Sequence, residues 1–275
     1  MQIRQLIESD IPAAMQLKEA AGWNQTEDDW RRLLRLEPNG CFCAIKDGGV
    51  VGTTTTTTYG NELAWVGMVL VDPQHRRQGI AAKLMSVALD YLRPRGGTVK
   101  LDATALGQPV YERFGFQVES LVERWSGAGN SRGRDDTNTD SLREILALDR
   151  AAFNADRSKL IEALISGSVV PPVLVRDADG ALSGYALARH GTRANYVGPV
   201  VAKDPQQVET LLDEVLSQLG DSRVYIDLNR ECSAPTSLLS DRGFVKERDL
   251  IRMTSGRPSA KTSPLIVAIA GPEIG

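Results

Sequence analysis

A chain of 275 residues is long enough for one large domain or two of ordinary size. Its 42% hydrophobic and 24% charged residues are those of a globular protein able to bury one or two cores. A net charge of −3 argues against nucleic acid as the main partner, and no stretch approaches the roughly 20 apolar residues of a membrane-spanning helix.

The N-terminus alternates polar and apolar residues and lacks the apolar centre of a signal peptide. A strand is expected over Gln2 to Glu8. A helix should then run from an N-cap at Asp10, with Pro12 just inside it, toward Ala20. Thr26 followed by Asp29 reads as a capping box opening a second helix that ends near Leu36. Strands are predicted at Cys41–Lys46, Val50–Thr58 and Leu63–Val71, separated by the turn signals DGG and YGN. The threonine run Thr53 to Thr58 suits a strand because threonine is β-branched. A helix over Ile80–Leu92, a strand at Thr98–Ala103, a short helix around Pro109–Phe114 and a strand at Phe116–Trp125 complete the first half.

Ser126 to Thr139, SGAGNSRGRDDTNT, has no apolar period and reads as a linker. Beyond it the order repeats more faintly. Helices are expected at Ser141–Ala151 and Ser158–Ile165, then strands at Val173–Asp177, Ala181–Arg189 and Ala194–Val201. A helix at Pro205–Leu219, a strand at Val224–Leu228, a short helix near Ser237 and a strand at Lys246–Met253 follow. Tyr111-Glu-Arg-Phe-Gly-Phe in one half and Leu239-Ser-Asp-Arg-Gly-Phe in the other mark matching ends. The reading is an α/β chain of two like units, 1–125 and 140–256, with 126–139 as linker. The tail 257–275 carries an apolar run, Leu265 to Ala270, that can add a strand to either sheet.

Cys41, Cys43 and Cys232 have no CxxC spacing, and only His75 and His190 could join them, which argues against a metal site. Cys41 and Cys43 share one face of a strand and read as a buried thiol pair. A reducing, cytoplasmic setting fits best.

The chemistry concentrates in Trp65-Val-Gly-Met-Val-Leu-Val-Asp-Pro-Gln-His-Arg-Arg-Gln-Gly-Ile-Ala. An apolar strand stops at Asp72-Pro73, a loop of cations and glycine follows, and an amphipathic helix starts at once. A helix N-terminus has unpaired N–H groups and a partial positive charge, so it attracts an anion. Gly79 lets a phosphate approach the backbone, and Arg76 and Arg77 add charge-assisted hydrogen bonds.

Arg76-Arg77-Gln78-Gly79-Ile80-Ala81 matches the signature [QR]-x-x-G-x-[GA], and Leu101 through Phe116 follows at the expected distance. With these segments the first half resembles the GNAT superfamily of N-acetyltransferases, and the whole chain resembles its bacterial subgroup with two units in tandem. The resemblance implies two mostly antiparallel sheets flanked by helices, the second unit being degenerate. It implies that Val69, Leu70 and Val71 pair with the pantetheine of acetyl-CoA, and that Arg76, Arg77, Gln78, Gly79, Ile80 and Ala81 hold the pyrophosphate. Tyr111 stands where many relatives protonate the departing thiolate; a packing tyrosine beside Gly115-Phe116 is the other reading. Asp102 stands where relatives sometimes place an acidic base, an ordinary strand-end aspartate being the alternative. Thr104 replaces the asparagine often found nearby and offers a hydroxyl or backbone contact.

Trp23 and Asn24 fall where the family builds its acceptor pocket, and Trp65 on the long strand is a candidate to line the same cavity; for either tryptophan a core position is the alternative. His75 reads as structural or phosphate-facing. In the second half Ala202-Lys-Asp-Pro-Gln-Gln-Val carries no Arg-x-x-Gly, and Leu238 or Leu239 stands at the place of Tyr111. That half is expected not to bind acyl-CoA; it either closes over the acceptor, with Asp227 and Asn229 as candidate contacts, or serves only as a scaffold or dimer surface. The implied reaction is direct acetyl transfer from acetyl-CoA to a primary amine of a small molecule or peptide, by a monomer or homodimer. A non-catalytic protein that senses CoA or a metabolite is the rival reading.

Overall fold

The computed structural model describes residues 1–130, 141–232, 234, 237–257 and 263–275. The chain forms two compact units. Unit 1 is Met1–Val118, a later piece beginning at Met253, and the segment Glu273–Gly275. Unit 2 begins at Glu119 and includes the stretch leading to Pro272. Each is a mixed α/β assembly with a mostly antiparallel sheet flanked by helices.

Unit 1 runs β1 (Gln2–Gln5), α1 (Ile11–Ala20), α2 (Glu27–Leu36), β2 (Phe42–Lys46), β3 (Gly49–Tyr59), β4 (Leu63–Val71), α3 (Ile80–Leu92), β5 (Thr98–Ala103) and α4 (Gln108–Glu112). Its strands lie in the order β1-β2-β3-β4-β5, antiparallel except for the parallel pair β4 and β5. At the DGG turn Asp47 and Gly48 have φ of 52° and 80°, the left-handed pair that closes a two-residue hairpin. The predicted capping box is present, with the Asp29 amide donating to Thr26 Oγ1 at 3.3 Å and the Thr26 amide to Asp29 Oδ2 at 2.8 Å.

The first strand stops three residues short of the expected end. The cause is Asp10, whose carboxylate accepts from Arg4 at 2.6 and 2.8 Å and from the Ile7 amide at 3.0 Å. These bonds curl Glu8–Asp10 into a 3-10 turn, so the Asp10 side chain does not cap α1 as expected. The Arg4 guanidinium holds the Asp10 carboxyl below its ordinary range. Cys41 and Cys43 are both buried free thiols, and burial pushes them up to about 12 and about 11.

In unit 2 the chain enters along β6 (Gln117–Ala128), which runs three residues past the expected strand end; residues 131–140, most of the expected linker, lie outside the described residues. Then come α5 (Leu142–Phe153), α6 (Ser158–Ser166), β7 (Val173–Arg176), β8 (Leu182–Arg189), β9 (Asn195–Ala202), α7 (Pro205–Gln218), β10 (Arg223–Asn229), α8 (Ser237–Ser240), β11 (Val245–Gly256) and β12 (Ile266–Ala268). The order is β11-β6-β10-β12-β9-β8-β7. The amphipathic α7 packs Val208, Leu211, Leu212 and Val215 into a core with Val197, Val200 and Ile226. The end of β11, from Met253, lies beside β5 in unit 1. Each sheet is thus completed by a strand from the other half of the chain.

The apolar tail forms β12 in unit 2, between β9 and β10. Those two strands pair in parallel only over Val224–Ile226 and Asn195–Val197, and β12 fills the gap where they part, through Leu228↔Ala268 and Ala268↔Val200.

Candidate active site

The parallel strands β4 and β5 of unit 1 end at the same edge of the sheet. They pair only at Leu63↔Thr98, Ala64↔Val99 and Trp65↔Lys100, then diverge. The edge of β4 from Gly67 to Val71 therefore continues past the last residue paired with β5. A bulge sharpens the divergence. Thr53 pairs with Leu70 and Thr55 with Gly67, so two β4 residues stand opposite one of β3, and Met68 adopts φ 50°. The Thr53 hydroxyl donates to the Met68 carbonyl at 2.8 Å and fixes the bulge. Val69 is the second residue of the bulge, and Leu70 and Val71 follow it.

Past Val71 the chain turns through Pro73–His75 as a 3-10 turn, capped by Asp72, whose Oδ1 accepts from the Gln74 amide at 2.7 Å. His75 Nδ1 stands 3.5 Å from the same carboxylate, which assigns it to the turn. Arg76, Arg77, Gln78 and Gly79 are exposed. Gly79 is the N-cap of α3 at φ 77°, a left-handed conformation that only glycine adopts without strain, and open space surrounds the place where a Cβ would stand. No side chain caps α3, so the first-turn amides, Ile80 and Ala81 among them, point to an open anion cradle.

Tertiary structure adds a cation here that spacing along the chain did not reveal. Lys46, at the end of β2, donates to Gln78 Oε1 at 3.0 Å. The loop thus brings together an uncapped helix end, the cations Arg76, Arg77 and Lys46, and a backbone open at Gly79.

Tyr111 sits on α4, after β5, and thus at the same end of the sheet as the cradle. Its ring meets Phe116 edge-on at 6.3 Å between centroids, the contact of a packing tyrosine. Burial pushes its phenol above the ordinary tyrosine value, which holds the proton on the oxygen throughout the neutral range. Thr104 shapes the turn before α4, accepting from the Gly107 amide at its hydroxyl at 3.2 Å and its carbonyl at 2.9 Å.

The sheet has two sides here. Gly52 faces α3, where an added Cβ would meet Leu84 and Ile80. Thr53, Thr55, Thr57 and Tyr59 alternate onto the other side, with their partners Leu70, Gly67, Trp65 and Leu63. Lys100, level with Trp65, and Asp102, two residues on, belong to the same side by register. Trp23 and Asn24 lie in the loop between α1 and α2, the first half-buried and the second buried. Trp65 is buried as well.

Asp227 belongs to unit 2. Arg124 grips both its oxygens at 2.7 and 2.6 Å, and the Tyr196 hydroxyl donates to it at 3.0 Å. Asn229 is equally buried and donates to the Ile266 carbonyl of β12 at 2.8 Å. The start of α7 contrasts with that of α3: Asp204 caps it by accepting from the Gln206 amide at 2.8 Å, and Pro205 removes an N–H. Leu238 and Leu239 are core residues.

A model of the acetyltransferase (GNAT) family matches residues 4–116, and one of the acetyltransferase (GNAT) domain matches residues 145–264. The chain is 26% identical to the uncharacterized N-acetyltransferase YitH of Bacillus subtilis, over 88% of this chain and 87% of that one. It is 23% identical to holothin acyltransferase of a Pseudoalteromonas species, over 93% and 88%. Among solved structures, a putative acetyltransferase from Pyrococcus horikoshii superposes with a TM-score of 0.83 at 21% identity, covering 100% of this chain and 95% of that one.

Proposed function

The chain belongs to the GNAT family, with both its halves matched as GNAT units, and is an N-acyltransferase; from that premise we propose that unit 1 transfers an acetyl group from acetyl-CoA directly to a primary amine. The observation that carries this reading is the cradle: an uncapped α3 behind a left-handed Gly79, next to a β4 edge that β5 has left unpaired.

Acetyl-CoA, the donor substrate, supplies a thioester activated toward attack by an amine. Arg76, Arg77, Gln78 and the amides of Gly79–Ala81 hold its diphosphate. The edge Val69–Val71 pairs with the pantetheine amides as an added strand would. The amide turned out by the bulge near Val69 polarises the thioester carbonyl. Tyr111 gives its proton to the departing sulfur, a task its protonated state at neutral pH suits. Trp23, Asn24 and Trp65 border the acceptor. Holding two reactants together supplies much of the rate, so no covalent enzyme intermediate is needed.

Unit 2 lacks the means to do the same. A carboxylate caps its α7 where an anion would bind, β12 occupies its β9–β10 gap, and leucines replace the tyrosine. Asp227 serves that unit as one partner of a buried ion pair. The relative named for acylating holothin supports transfer to a specific acceptor.

The test combines acetyl-CoA titration calorimetry with a CoA-release assay against pooled primary amines. Saturable binding with amine-dependent release is expected. Binding without release for any amine would make the chain a sensor, and absence of binding would remove the cradle.

A further inference from the structure

A polar cluster stands on the β3–β4 side facing away from α3. Glu273 crosses Gly67, one residue before the bulge, and a Cβ on Gly67 would stand 2.6 Å from the Glu273 carbonyl oxygen and 2.8 Å from its Cα. The following residues continue along the same face. The Tyr59 hydroxyl donates to the Ile274 carbonyl at 2.6 Å, and Gly275 rests against the Trp65 ring. Gln25, next to Trp23 and Asn24, donates from Nε2 to Glu273 Oε2 at 2.8 Å within the interior. Glu273 is 3% exposed and Gln25 is 7%.

Three further atoms of this cluster are buried without any partner: Gln25 Oε1, Thr55 Oγ1 and Thr57 Oγ1. Buried polar atoms ordinarily find a partner, and a valine would fill the threonine positions at no such cost. Thr55 stands opposite Gly67 and Thr57 opposite Trp65, so both hydroxyls share the face that Glu273–Gly275 crosses. Register also places Tyr59, Lys100 and Asp102 on this face, with Cys43 and Arg4 farther along it beside Thr53.

We propose that Glu273, oriented by Gln25, is the carboxylate that receives the acceptor amine and takes its proton, and that Thr55, Thr57 and the Gln25 carbonyl select a compact amine bearing further hydrogen-bonding groups. The inference rests on the acyl-transfer reading and supplies the proton acceptor for it. An amine arrives as an ammonium, and a carboxylate is the side chain that attracts it and removes one proton, which passes on to solvent. The nitrogen lone pair then forms the C–N bond to the thioester carbon. The C–S bond breaks with its electron pair on sulfur. Sulfur takes the Tyr111 proton, and the second nitrogen proton restores the phenol. The burial of every partner favours a small acceptor over a folded protein surface.

The test uses the full-length protein with acetyl-CoA and four probes: 2-aminoethanol, glucosamine, spermidine and n-butylamine. Glu273→Gln keeps the size and one oxygen of the side chain. It should lower kcat at least 100-fold for the polar probes while leaving the acetyl-CoA Kd within twofold, and Glu273→Asp should restore part of the rate. Thr55→Val with Thr57→Val should raise KM for 2-aminoethanol or glucosamine about tenfold and leave n-butylamine within twofold. Turnover of Glu273→Gln within threefold of wild type, or loss of turnover in Asp102→Asn alone, would overturn the assignment. So would a wild type that binds acetyl-CoA and acetylates none of the polar probes. Failure to bind acetyl-CoA at all would instead count against the donor site, so the two failures are told apart.

Discussion

Replacing Arg76 by alanine tests the cradle with little risk to the fold. The guanidinium is exposed, and its hydrogen bond within unit 1 is a long one, from Nε to the Val71 carbonyl at 3.4 Å. Its truncation should therefore change folding stability by less than about 0.5 kcal/mol. A hydrogen bond to a charged group contributes about 1.5–3 kcal/mol, and an exposed, salt-screened one belongs at the lower end. At about 1.4 kcal/mol per tenfold, the acetyl-CoA Kd should rise about tenfold. Gly79→Ala forms a second arm. Its φ of 77° costs an alanine about 1–2 kcal/mol, which appears as lost stability. Any weakening of acetyl-CoA binding beyond Arg76→Ala then reports crowding of the phosphate. The assay is calorimetric titration at low and high salt, with thermal unfolding alongside. Wild-type affinity should fall more steeply with salt than that of Arg76→Ala. An unchanged Kd and salt slope in a folded Arg76→Ala protein would exclude Arg76 as a phosphate ligand.

Tyr111→Phe should lower kcat by about 100-fold, within the range of acid–base catalysis, without altering the acetyl-CoA Kd. Because burial raises the phenol above its ordinary value of 10, wild-type turnover should not decline between about pH 8 and 10 through loss of this proton; an alkaline limb in that window, absent from Tyr111→Phe, would contradict it. Asp227→Asn removes the carboxylate from a buried ion pair with Arg124 and should cost about 3–5 kcal/mol in denaturant unfolding, with acetyl-CoA affinity unchanged. A variant of wild-type stability with a raised acceptor KM would return Asp227 to the acceptor site.

The portions legible in the amino-acid order are those whose physics is local. The stretch Val69–Ala81 carries strand, loop, cations, glycine and helix start in thirteen consecutive residues, so spacing alone places the end of β4 and the start of α3. The Thr26–Asp29 capping box and the bounds of α3 follow from nearest-neighbour chemistry in the same way. The early end of β1 did not, because Asp10 prefers the distant guanidinium of Arg4 to the cap it was suited for.

What folding decided depends on residues far apart in sequence. Lys46 reaches Gln78 only because β2 and α3 converge, and Glu273 meets Gly67 and Gln25 across some two hundred residues or more. The tail's apolar run announced a strand, but only the parting of β9 and β10 determined that it fills the gap between them. Likewise, nothing in the spacing of β6 and β11 tells which sheet each completes. Periodicity specifies which face a residue presents. Its partner is set by which backbone edges and unpaired polar groups remain to be satisfied once the whole chain has collapsed.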